Sequence, residues 1–133
     1  MSVIERNEYG AIGVNKNVIE KMIIEDVLTM KDSLILCTKK GKVVKETRTT
    51  WIDPDYYDAI SFTNKRGSEE VVLNVIVMRG VRAAEIADSV FEIVENAFSM
   101  MRLDKPKTIK LKVRGVMSDV VSKRNIEVVR KNG

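Results

Sequence analysis

Apolar and polar positions change their spacing twice in the second half of the chain, and each change marks the boundary of an element. From Val71 to Met78 both alternating rows are apolar, with Val, Leu, Val and Val at odd positions and Val, Asn, Ile and Met at even ones. This is the pattern of a strand buried on two faces. At Arg79-Gly80 the run breaks. Beyond it Ala83, Ile86, Ala87, Val90, Phe91, Val94, Ala97, Phe98 and Met101 recur every three or four residues, which predicts a helix from about Arg82 to Leu103 with one broad core stripe. Its other side carries Glu85, Asp88, Glu92 and Glu95, an acidic ridge facing solvent or a partner. Pro106 marks the stop, and a spacing of two returns. Ile109, Leu111 and Val113 point one way while Lys110, Lys112 and Arg114 point the other.

The first half is read in the same way. Tyr9 to Val14 is a short apolar run with two glycines, and Asn15 follows as a helix N-cap. A helix from about Lys16 to Met30 places Ile19, Ile23, Val27 and Met30 on the core face, with Val18, Met22 and Ile24 on its shoulders. Ser33 to Thr38 reads as a strand, Lys39-Lys40-Gly41 as a turn and Val43 to Ile52 as the hairpin partner. Asp53 to Asp58 reads as one helical turn with Pro54 at its first position. A second hairpin joins Ala59–Thr63 to Val71–Met78 across Asn64 to Ser68. After Val116, a loose helical pattern connects Met117, Val120, Val121 and Val128. The elements predict a two-layer α/β (α+β) domain over residues 1–116, with two main helices on one face of a small mixed sheet. A basic C-terminal tail, residues 117–133, follows.

Composition narrows the class. A chain of 133 residues with 44% hydrophobic and 32% charged residues suits one domain with one core. No run approaches the roughly 20 apolar residues of a membrane-spanning helix, and the first ten residues lack the pattern of a signal peptide, so cytoplasmic residence is expected. The net charge of +4 is unevenly divided. From Lys105 onward nine Lys and Arg face only Asp119 and Glu127, so this stretch is strongly basic and the preceding residues are net acidic. Two such halves attract one another, within one molecule or between copies.

The residues that carry chemistry are sparse. The chain has no histidine and one cysteine, Cys37, which sits in the apolar run Leu34 to Cys37 and reads as a small buried hydrophobe. Asp53, Asp55 and Asp58 lack the glycine and following glutamate of a calcium loop, so a capped turn is the better reading. Gly80, flanked by Arg79 and Arg82, is one glycine where a phosphate loop needs several, and reads as a tight turn. No catalytic, cofactor or metal site is assigned, and no cofactor or small-molecule substrate is expected. The partner-binding candidates are Glu85, Asp88, Glu92 and Glu95 on the helix, and Lys110, Lys112 and Arg114 on the last strand. These cations with the tail also define an alternative, a nucleic-acid-binding module, although no aromatic residue follows Phe98 to stack on bases. Two helices cover one face of Val71–Met78, so the tail or a second copy is expected on the other.

Two stretches resemble the alkaline shock protein family, small bacterial proteins linked to cell-envelope homeostasis. They are Tyr9-Gly-Ala-Ile-Gly-Val-Asn-Lys-Asn-Val-Ile19 and the strand, glycine turn, helix and strand from Val71 to Val116, including Val77-Met-Arg-Gly80 and Lys110-Leu-Lys-Val-Arg-Gly-Val116. The chain departs from the family at Thr29 to Leu36, where a Gly-Val pair is usual, and across Lys39 to Arg66. The resemblance implies a two-layer α/β domain with no catalytic residues to carry over. It also implies self-association and, for some members, attachment to the membrane through a partner protein. The expectation is therefore a non-enzymatic interaction or scaffold protein forming a homo-oligomer, peripheral to the membrane where an anchored partner holds it.

Overall fold

The computed structural model describes residues 8–44, 58–65 and 68–132. In chain order these form α1 (Glu8–Leu28), β1 (Leu34–Leu36), β2 (Ile60–Lys65), β3 (Ser68–Met78), α2 (Ala83–Met100), β4 (Thr108–Met117) and β5 (Val121–Lys131). It is an α+β fold, with two helices packed against a mixed sheet of five strands.

The doubly apolar run becomes β3, the central strand. Its 11 residues exceed the reach of either neighbour on one edge, so two strands share that edge end to end. Antiparallel β2 takes the first part, from Lys65↔Ser68 to Ile60↔Leu73, and antiparallel β1 takes the second, from Leu36↔Val75 to Leu34↔Val77. The other edge pairs in parallel with β4, and the crossover that a parallel pair requires is α2. Gly80 opens that crossover with φ +87°, a left-handed turn that accounts for a glycine without any ligand. On β3 and β4, Val71, Leu73, Val75, Val77, Ile109, Leu111 and Val113 are buried beneath Ile86, Val90, Val94 and Phe98 of α2 and Ile19, Ile23 and Val27 of α1. The core stripes follow the expected periodicities, with Met30, Ala83 and Met101 only partly buried at their ends; of the shoulder residues Ile24 is buried, Met22 partly buried and Val18 exposed.

Four expectations change. First, α1 begins at Glu8 and takes in Tyr9 to Val14, so Asn15 is a helix-interior residue and not the cap. The apolar spacing continues back from Ile19 to Ile12, and an interior Asn or Gly costs a helix at most about 1 kcal/mol. Second, β1 takes β3 as its ladder partner; toward Val43 it makes one isolated bridge at Cys37, closed by the turn around Gly41. The remainder of the expected strand, residues 45–52, lies outside the described residues, as do Asp53, Asp55 and the tyrosines at 56 and 57. Third, the β2–β3 ladder closes to Lys65↔Ser68, a tighter connection than the five-residue loop expected. Fourth, the basic segment after Val116 is not helical. It forms β5, antiparallel to β4 along Thr108–Met117.

β5 lies at the sheet edge and does not cross the face away from the helices. That face is nevertheless covered around β3 within one chain, since Val72, Asn74 and Ile76 are all buried. The turn at Gly41 lies against Arg114 there, so neither the tail nor a second copy is needed to cover β3.

Candidate interaction surface

The seven partner-binding candidates fall on two separate surfaces. Glu85, Asp88, Glu92 and Glu95 lie on α2, on the helix layer, whereas Lys110, Lys112 and Arg114 project from β4 on the far side of the sheet. The fold does not bring them together.

Within the acidic ridge the four carboxylates differ. Glu85, Asp88 and Glu92 are exposed, but the Glu95 side chain is only 11% exposed. Arg130 of β5 donates to its Oε1 at 2.9 Å, and Asn132 donates through Nδ2 to its Oε2 at 3.0 Å. The same guanidinium lies 3.6 Å from Asp88 and stacks over the Phe91 ring at 5.0 Å from its centre. Charge, hydrogen bonding and a cation–π contact thus meet at one arginine that locks the edge strand to the helix. The end of the ridge expected to face solvent or a partner is instead taken by the chain's own last strand.

The cations of β4 are also partly committed. Lys110 pairs with Glu70 of β3 at 3.4 Å. Arg114 sits where the β4 register slips against both neighbours, between Val75 and Ile76 on one side and across Val113 to Gly115 on the other. Such a bulge re-aims a side chain, and here it directs Arg114 Nε to donate to Asn74 Oδ1 at 3.0 Å. Asn74 Nδ2 donates in turn to the Ala59 carbonyl at 3.2 Å, and the Asn74 carbonyl accepts from the Cys37 amide at 3.0 Å. Lys112 is half-buried on the same face.

Cys37 is buried as expected, and burial pushes its thiol up to about 12, with the Arg114 charge pulling slightly the other way. A thiol held protonated in this way is a poor nucleophile. The Glu69 carboxyl is raised from its ordinary value of 4.5, first by burial and second by the neighbouring Asp104. Among the described residues no group of three His, Cys, Asp or Glu is placed to hold a metal ion, and no helix is long and apolar enough to cross a membrane.

What the sequence reading missed is β5. Its edge carries the exposed apolar residues Val121 at 38%, Ile126 at 42% and Val129 at 38%. The signal was the alternation of Ile126, Val128 and Arg130 on one face, which the charged residues Lys123, Arg124, Glu127 and Lys131 around it conceal. Comparison of the chain with protein-family models, with curated proteins and with solved structures returns no match.

Proposed function

We propose that the chain is a non-enzymatic interaction or scaffold protein of the alkaline shock type, which self-associates and serves cell-envelope homeostasis. In this reading it works in the cytoplasm and reaches the membrane periphery through an anchored partner protein. The observation that carries self-association is β5, an 11-residue edge strand with three exposed aliphatic residues. Most strands are about half that length, and natural proteins keep exposed edges short or guarded because an open edge recruits another strand. The absence of histidine and the protonated state of Cys37 support action by binding. For the family, support comes from Val71 to Val116, whose resemblance corresponds to β3, the Gly80 turn, α2 and β4 as one parallel crossover.

Size exclusion with light scattering, at tens of micromolar protein and at low and high salt, tests this reading. A species larger than a monomer that persists in high salt is expected, because the apolar part of a strand pairing is not screened. A monomer at both ionic strengths overturns it. Salt-sensitive retention of RNA or DNA by the same sample transfers the function to the nucleic-acid-binding alternative. The commitments of Lys110 to Glu70 and of Arg114 to Asn74 weigh against that outcome.

A further inference from the structure

Self-association does not by itself say which groups meet, but the order of residues along β5 does. Resting on that reading, we infer that two copies join through β5 as antiparallel neighbours, with the two-fold axis at Asn125. β5 pairs with β4 on one edge, and no other described strand occupies its second edge. The pairings Met117↔Val121, Gly115↔Lys123, Lys112↔Glu127 and Lys110↔Val129 place Val121, Lys123, Glu127 and Val129 on the face away from the helices, and strand alternation puts Asn125 with them. In order this row reads Val, Lys, Asn, Glu, Val. Read from the other end it is Val, Glu, Asn, Lys, Val.

An antiparallel pair of copies sets one reading against the other. Val121 meets Val129 of the second copy, Lys123 meets Glu127, and Asn125 meets itself, with every contact made twice by symmetry. Both half-exposed valines are covered, and each charge faces its opposite directly across the ladder, where cross-strand pairs interact most strongly. Neighbouring registers do worse. Centring on Ile126 leaves Lys123 opposite Val129 and Glu127 opposite Asn125, with no charge matched. Centring on Glu127 opposes Glu127 to itself and Lys123 to Lys131. The cations that would guard a bare edge against strange strands are thus compatible with one partner, a second copy in this register.

A charge-swap cycle tests the register. Lys123→Glu and Glu127→Lys each turn two attractive pairs into two repulsive ones and should weaken the dimer about tenfold. The double variant, Lys123→Glu with Glu127→Lys, recreates both attractive pairs and should restore wild-type association, read by sedimentation or light scattering across a dilution series. Arg124→Glu, an equal change of charge on the same strand, should not be rescued by Glu127→Lys. In parallel, Asn125→Cys should form a disulfide-linked dimer on mild oxidation while Ser122→Cys should not. A dimer indifferent to the single changes, or not restored in the double variant, overturns this register while self-association stands. A wild-type monomer overturns both.

Discussion

Asn74 shows how one polar residue can organise a strand that is otherwise apolar. It stands where β3 changes partner, between Leu73, paired with Ile60 of β2, and Val75, paired with Leu36 of β1. Two strands meeting end to end leave backbone groups without a ladder, and buried backbone groups are seldom left unpaired. Asn74 serves both sides of this gap, through its carbonyl to Cys37 and its side chain to Ala59, while Arg114 completes its oxygen. Asn74→Ala removes these side-chain bonds at a position 1% exposed, and we expect it to cost about 1–3 kcal/mol in a urea titration. A loss within about 0.5 kcal/mol, the range of ordinary surface changes, would show that water replaces the amide. Gly115, beside the bulge, answers a different need. A Cβ there would lie 2.7 Å from Val121 Cγ1 and 3.0 Å from the Ser122 carbonyl, so β4 and β5 can approach this closely only without a side chain.

Among the elements, α2 ends by a mechanism that the proline at 106 does not reveal. The Leu103 amide donates to the Phe98 carbonyl at 2.9 Å and the Arg102 amide to Ser99 at 2.9 Å, the paired bonds of a Schellman motif. The motif needs a left-handed residue, and Arg102 supplies it with φ 58°. Leu103 then turns back into the core. Glycine is the usual residue at this place because a side chain costs about 1–2 kcal/mol in that conformation. Arg102→Gly should therefore stabilise the protein by about 0.5–1 kcal/mol, the relief being reduced by the greater freedom of glycine in the unfolded chain. A lower melting temperature for this variant would mean that the arginine makes a contact worth more than the strain. At the opposite side of the sheet, β5 is held by its pairing with β4, by the Arg130 lock, by Val128 packed against the core and, just beyond the strand, by the Asn132 hydrogen bonds.

At the scale of the whole molecule, the charge imbalance between the two parts of the sequence is partly settled inside the fold. Arg130 meets Asp88 and Glu95, and Lys110 meets Glu70, each pair joining the basic end to the acidic remainder. One carboxylate is placed against this trend. Glu69 is half-buried beside Asp104, and both burial and the like charge favour its protonated form. The folded state then holds this proton to higher pH than the unfolded chain, so stability falls as pH rises from the ordinary carboxylate value of 4.5 through the raised one. Above that window the penalty is fully present. Glu69→Gln should raise the melting temperature at neutral pH and flatten its fall as pH rises above 4.5. An unchanged pH profile would show that Glu69 carries no such penalty.

The sequence by itself determined the elements whose burial follows a local period. The stripe of α2, the alternation of Ile109, Leu111 and Val113, the double-sided β3 and the Gly80 turn were all legible, and with them the two-layer α+β class. Each depends on side chains a few residues apart choosing the same side of one element. The tertiary structure alone decided the partners. Nothing local distinguishes a β1 that pairs with Val43 from one that pairs with Val77, because strand pairing is a contact between distant segments. The same holds for Arg130, whose partners Asp88 and Glu95 stand about forty residues earlier, and for the bulge that turns Arg114 toward Asn74. The edge strand β5 was hidden because nearly all of its residues stay in water, only Val128 and Arg130 being partly buried, which relaxes the demand for apolar residues that makes buried strands readable.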